Sequence, residues 1–142
     1  METITETGKV VYTAKTHTTG GREHGVAKSS DGHLEITLST PGTKGTGTNP
    51  EQLFAAGWSA CFEGALGIAA GKKRIALPED TAIDAEVDLC VDKGNFFLQA
   101  RLNISIPGIE REIAWQLIES AETICPYAKA VHGNIKVEFN LV

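Results

Sequence analysis

Two runs of alternating residues, "TAIDAEVDLCVD" at 81–92 and "FFLQARLNISI" at 96–106, constrain what this chain can fold into more than any other feature. The first sets Ile83, Ala85, Val87, Leu89 and Val91 on one side, with Asp84, Glu86, Asp88 and Asp92 on the other. The second lines up Phe96, Leu98, Ala100, Leu102, Ile104 and Ile106. A period of two is that of a half-buried strand, and the short "DKGN" between the runs reads as a hairpin turn. Upstream, residues 8–18 are rich in β-branched and aromatic side chains and predict a strand that ends in the glycine turn "GGREHG". Residues 24–29 then return as the second arm, and "HLEITLS" at 33–39 adds a third strand by its Leu34, Ile36, Leu38 alternation.

Helical signals separate these strands. The loop "TPGTKGTGTN", 40–49, lacks the order of a phosphate-binding loop and reads as a connector. Thr48 or Asn49 then caps a helix that starts at Pro50, where a missing N–H costs nothing, and runs to a glycine stop near Gly71. A second helix is predicted over 110–122 from Ile113, Leu117 and Ala121. "CPYAKAVHGN" gives a short helical turn, and "IKVEFNLV" a closing strand. Strands grouped around two helices indicate an α+β fold, and 142 residues suit one domain over 1–142.

Charge and composition narrow the function. The net charge is -5, from 13 basic and 18 acidic residues with no basic cluster, which argues against a nucleic-acid partner. The opening "METITETGKVVYT" has acidic residues where a signal peptide needs basic ones. Gly57, Ser59, Glu63 and Gly67 interrupt the longest apolar segment, 53–70, which is expected to fall short of a membrane span. A cytoplasmic location follows. That compartment keeps thiols reduced, so a disulfide among the three cysteines is expected to be transient and catalytic rather than structural.

Cys90 shares strand parity with the acidic face, a poor place for a thiolate. Cys125 precedes Pro126 at a predicted N-cap, where the helix dipole favours a thiolate. Cys61 lies mid-helix among Phe54, Trp58, Phe62 and Ala65, so on local grounds it is either a buried filler or a reagent in a pocket, with filler the simpler role. Local electrostatics thus favour Cys125 as the reactive thiol. Cys61 or Cys125 with His24 or His132 as a metal site has no supporting ligand spacing, and no metal is expected.

The stretches "TGGREHG", "TNPEQLFAAGWSACF" and "CPYAKAVHGNI", in this order, resemble the organic hydroperoxide resistance (Ohr) branch of the OsmC/Ohr family over nearly the whole chain. The resemblance implies an α+β intertwined homodimer, with antiparallel sheets wrapped around long central helices. It implies a thiol peroxidase that reduces alkyl or lipid hydroperoxides, with Cys61 of "SACF" as the peroxidatic thiol and Cys125 of "CPY" as the resolving thiol. Arg22 of "GGR" and Glu51 of "NPE" complete the implied site. No bound cofactor is implied. The reductant is an external dithiol, the dihydrolipoyl group of a lipoylated protein served by dihydrolipoamide dehydrogenase. Two departures, His24 in "EHG" and a short loop before "GTNPEQ", bear on the pocket rim.

The chemistry accounts for the residue types. A thiolate attacks a peroxide oxygen, and the sulfenic acid formed condenses with a second thiol. A thiol among apolar residues needs a fixed cation to ionise; Arg22 is the candidate cation and Glu51 a bidentate partner to hold it. Phe54, Trp58, Phe62 and Tyr127 are the candidate pocket lining for a bulky substrate, each with a core role as the competing explanation. Ten residues between Glu51 and Cys61 correspond to about 15 Å of helix. Either the helix breaks near Gly57, or the Glu51 and Cys61 of one site come from different subunits, which is the preferred expectation. The alternative to an enzyme is a non-catalytic module that binds a lipid or acyl ligand and keeps its cysteines in the core.

Overall fold

The computed structural model describes residues 8–142; residues 1–7, part of the stretch without a signal-peptide pattern, lie outside the described residues. The chain forms two compact units, one up to Asn49 and one from Pro50 to Val142.

The first unit is a three-stranded antiparallel meander of β1 (Thr16–Thr19), β2 (Val26–Ser29) and β3 (Glu35–Thr37). "GREH" forms a single helical turn, α1 (Gly21–His24), between β1 and β2. The turn depends on glycine: a Cβ on Gly25 would collide with the carbonyl oxygens of Gly21 and Thr19. The threonine–glycine loop folds back along β3, with Thr48 N–H donating to Thr37 O at 2.9 Å and Ser39 N–H to Thr48 O at 3.0 Å. The expected strand over 8–18 is cut to its last residues. Val10, Val11 and Tyr12 have strand propensity but are 78%, 90% and 75% exposed, because β2 is only four residues long and offers them no partner.

The second unit builds on the predicted hairpin. β4 (Ala82–Asp92) and β5 (Asn95–Ser105) pair antiparallel from Ala82↔Ser105 to Asp92↔Asn95. Lys93 and Gly94 both take positive φ, as a two-residue hairpin turn with the right twist requires. The closing strand β6 (Lys136–Leu141) lies parallel to β5, so this sheet is mixed rather than antiparallel throughout. The physical reason is the connection: β5 reaches β6 through α3 (Arg111–Ile124) and α4 (Pro126–Val131), a crossover long enough to return the chain in the same direction. On the polar face Arg101 holds Asp88 bidentately at 2.8 and 2.9 Å and reaches Glu86 at 3.2 Å, which ties β5 to β4 in this register.

Helix α2 (Pro50–Lys72) runs unbroken for 23 residues. Its stop is not Gly71. Arg74 takes φ 58° and donates its N–H to Gly71 O at 3.0 Å, while Ile75 N–H reaches Ala70 O at 2.9 Å, the pattern of a Schellman cap. By length and composition α2 is apolar enough to cross a membrane, against the sequence expectation. Here its buried stripe, Trp58, Phe62, Ala65, Leu66, Ala69 and Ala70, is core, packed with Ala114, Leu117, Ile118 and Ala121 of α3 and Ala100, Leu102 and Ile104 of β5. Burying a side chain such as Leu66 or Ile104 contributes about 1.5–3 kcal/mol, which makes α2 the central element of this unit.

Candidate active site

Two cysteines meet at the centre of the second unit. Cys61 sits mid-way along α2, half-buried, and Cys125 fills the one-residue joint between α3 and α4. The Cys125 thiol donates to Cys61 Sγ at 3.4 Å. Both are free thiols, and closing the gap to a disulfide of about 2.05 Å asks for little movement. Residues 64 apart in sequence are thereby in contact.

The joint itself explains the placement of Cys125. Its N–H continues α3 by donating to Ala121 O at 2.8 Å, and its carbonyl accepts from Lys129 N–H at 3.0 Å to open α4. Pro126 takes the first helical position, where it forfeits no bond. Cys125 is thus an N-cap, as the sequence predicts, but not an activated one. Burial pushes its thiol above the usual range; the amide of Ala128 pulls the other way, and so, more weakly, does that of Tyr127. The side chain forms no capping hydrogen bond and is fully buried. Desolvation outweighs the helix N-terminus here, which removes the advantage that the cap position suggests for Cys125.

The aromatic candidates divide. Phe62 is fully buried and stacks on Phe139 with ring centroids 5.2 Å apart. Trp58 is also fully buried and forms one wall of a cavity of about 270 Å³ shared with Val131, His132, Val137 and Phe139. Phe54 and Tyr127 lie nearer the surface, edge to face at 6.2 Å, with Tyr127 40% exposed. Sequence reading missed what lies under Tyr127: its ring covers Gly57, one turn before Cys61. A glycine at i−4 to a cysteine in a long helix was the available signal.

Glu51 occupies the first turn of α2, where its charge suits the helix dipole. With α2 continuous, Glu51 and Cys61 of one chain stand about 15 Å apart along the helix, and the break near Gly57 is excluded. Arg22 is exposed in α1 of the first unit. Cys90 lies on β4 opposite Phe97. Among the described residues no three His, Cys, Asp or Glu side chains are grouped to hold a metal ion.

A sequence profile of the OsmC-like protein family matches residues 42–140, which include both cysteines and all of α2. The chain belongs to the OsmC/Ohr family. Among OsmC/Ohr relatives, the organic hydroperoxide resistance protein of Xanthomonas axonopodis pv. citri (strain 306) is 44% identical over 137 residues, 94% of this chain and 96% of its own length. OhrB of Bacillus subtilis (strain 168), also named an organic hydroperoxide resistance protein, is 40% identical over 136 residues, 92% of this chain and 98% of its own. The crystal structure of B. subtilis OhrB superposes with a TM-score of 0.88 at 39% identity, covering 94% of this chain and all of that one. The OsmC/Ohr fold, with its helices and two sheets, is therefore that of this protein.

Proposed function

We propose that this protein is a cysteine-based peroxidase that reduces organic hydroperoxides, alkyl or lipid, to alcohols in defence against oxidative stress. The observation that carries the reading is the 3.4 Å approach of the Cys61 and Cys125 sulfurs. The names of its relatives, organic hydroperoxide resistance proteins, supply the substrate class. The Cys61 thiolate attacks the terminal oxygen of ROOH; the O–O bond breaks, its electron pair leaves on the alkoxide, and a proton converts that to ROH. The sulfur, oxidised by two electrons, keeps the other oxygen as a sulfenic acid. Cys125 Sγ then attacks that sulfur, the S–S bond forms, and hydroxide takes the thiol proton and leaves as water. An external dithiol, the dihydrolipoyl group of a lipoylated protein, restores both thiols by exchange and is itself oxidised, to be reduced again by dihydrolipoamide dehydrogenase. The chain binds no cofactor of its own.

In this reading Arg22 stabilises the Cys61 thiolate and the leaving alkoxide, and Glu51 holds the guanidinium. Phe54 and Tyr127 face the alkyl group, with Trp58 and Phe62 behind them. The protein acts in the cytoplasm as a homodimer, and the Glu51 and Cys61 that share a site belong to different copies. The exposed small residues Ala60, Gly64, Gly67 and Gly71 along α2 support a second helix lying against it, and exposed Phe96 and Phe97 at the hairpin tip support a second covered face.

The test is a free-thiol count with peptide mapping after one equivalent of cumene hydroperoxide per subunit. Wild type is expected to lose two thiols to a Cys61–Cys125 disulfide, and Cys125→Ser to stop at a Cys61 sulfenic acid. No thiol loss, or a Cys61→Ser variant that reacts as fast as wild type, would overturn the reading.

A further inference from the structure

Glycine inside a long helix is unfavourable relative to alanine, so one that sits beside a reactive pair calls for a reason. Gly57 is in the interior of α2, one turn before Cys61 and one turn after Phe54, so all three share a ridge of the helix. The first turn of α4 lies along that ridge through three contacts. Tyr127 meets Phe54 edge to face at 6.2 Å, Tyr127 covers Gly57, and Cys125 Sγ meets Cys61 Sγ at 3.4 Å. The middle contact is close at the hydroxyl end of the ring. A Cβ on residue 57 would stand 2.7 Å from Tyr127 Oη, 3.2 Å from Cζ and 3.5 Å from Cε2. Phe54 packs edge to face on the same ring, so a Cβ at residue 57 would tip the hydroxyl end of Tyr127 away from its seat on α2.

We infer that Gly57 is a positioning residue for the resolving step: its bare backbone lets the Tyr127 ring seat on α2, and that seat holds Cys125 Sγ against Cys61 Sγ. The inference rests on the proposed two-cysteine cycle and adds a residue to it. Gly57 touches no reacting atom. Its effect falls on disulfide closure, because Tyr127 is two residues from Cys125 in the same turn, whereas Cys61 is anchored independently in the middle of α2. Other glycines on the same helix behave differently: a Cβ at Gly64, Gly67 or Gly71 meets nothing within 4 Å.

The test compares Gly57→Ala with wild type by stopped-flow addition of cumene hydroperoxide, with dimedone trapping of the sulfenic acid. Gly57→Ala is expected, once its sulfenic acid has formed, to close the disulfide at least fivefold more slowly than wild type, so that the trapped fraction rises. Adding Tyr127→Phe to Gly57→Ala removes the closest atom and is expected to recover most of the closure rate. Equal closure rates in Gly57→Ala and wild type would overturn the inference, as would a double variant as slow as Gly57→Ala. A wild-type protein that forms no sulfenic acid defeats the peroxidase reading itself, a separate outcome visible before any variant is made.

Discussion

Phe62 decides whether the aromatic stripe of α2 is substrate pocket or core. Its ring is fully buried and stacked on Phe139 of β6, with an interplanar angle of 28° and centroids 5.2 Å apart. Removing a buried phenyl forfeits about 1.5–3 kcal/mol of transfer free energy, and the stacked pair adds about 0.5–1.5 kcal/mol. A cavity term follows because α2 and β6 are held by their own hydrogen bonds and relax only in part, giving about 3–5 kcal/mol for Phe62→Ala. Divided by a urea dependence of about 2 kcal/mol/M, that is a fall in midpoint of about 2 M. Phe62→Leu keeps most of the volume and is expected to cost under about 1.5 kcal/mol. The assay is urea unfolding at fixed protein concentration, since association contributes to apparent stability, paired with KM for cumene hydroperoxide in the leucine variant. KM should stay within twofold. A loss below about 1.5 kcal/mol for Phe62→Ala, together with a KM raised severalfold in Phe62→Leu, would refute the core assignment.

Mixing Cys61→Ser with Glu51→Gln tests the shared site. If the cooperating pair comes from different copies, each mixed dimer holds one intact site of two, and random re-association restores about a quarter of wild-type peroxidase activity; sites built within one chain restore none. Asp88, held bidentately by Arg101, has its carboxyl lowered to about 2, so this pair stabilises the fold above about pH 4 and that contribution fades as pH falls toward 2. Asp88→Asn should therefore be less stable than wild type at pH 6 and approach it at pH 2; a gap that is constant with pH would disprove the assignment. With the reduced protein at pH 7, iodoacetamide should label Cys61 and leave Cys125 until last, since Cys125 is buried and its thiol is pushed up by that burial. Mass mapping that finds Cys125 labelled first would restore it as the reactive thiol.

Much of the second unit was legible because its signals are periodic and local. The 81–92 and 96–106 runs became β4 and β5 within a residue or two, and Pro50 and Pro126 marked the starts of α2 and α4. What was not legible depended on partners distant in sequence. Residues 8–14 have strand composition, yet pairing, not propensity, makes a strand, and β2 is too short to pair with them. The direction of β6 was hidden for the same reason: a run of six residues carries no mark of whether its neighbour runs with it or against it. The two-cysteine contact came from resemblance alone, because no local rule brings α2 to the α3–α4 joint. Once there, the contact follows from packing, with Leu117, Ile118 and Ala121 of α3 and Ala128 of α4 buried in the same core as Phe62 and Ala65.

Cys125 shows what local electrostatics leave out. The cap position supplies two amides that favour a thiolate, and the sequence displays that arrangement openly. Burial, which the sequence does not display, acts on the same atom with the larger effect. The proposed chemistry needs this division of labour rather than two activated thiols. A bulky hydroperoxide requires a sulfur it can reach, and Cys61 is the half-buried member of the pair. The resolving thiol needs to reach only the oxidised sulfur of Cys61, and it is already placed beside it. Its proton has a destination in the hydroxide that departs from the sulfenic acid, so Cys125 gains its thiolate character only as it attacks the oxidised sulfur. A neutral, sheltered Cys125 also stays out of side reactions with peroxide. In the proposed cycle, burial that disfavours it as the first nucleophile therefore suits it to be the second.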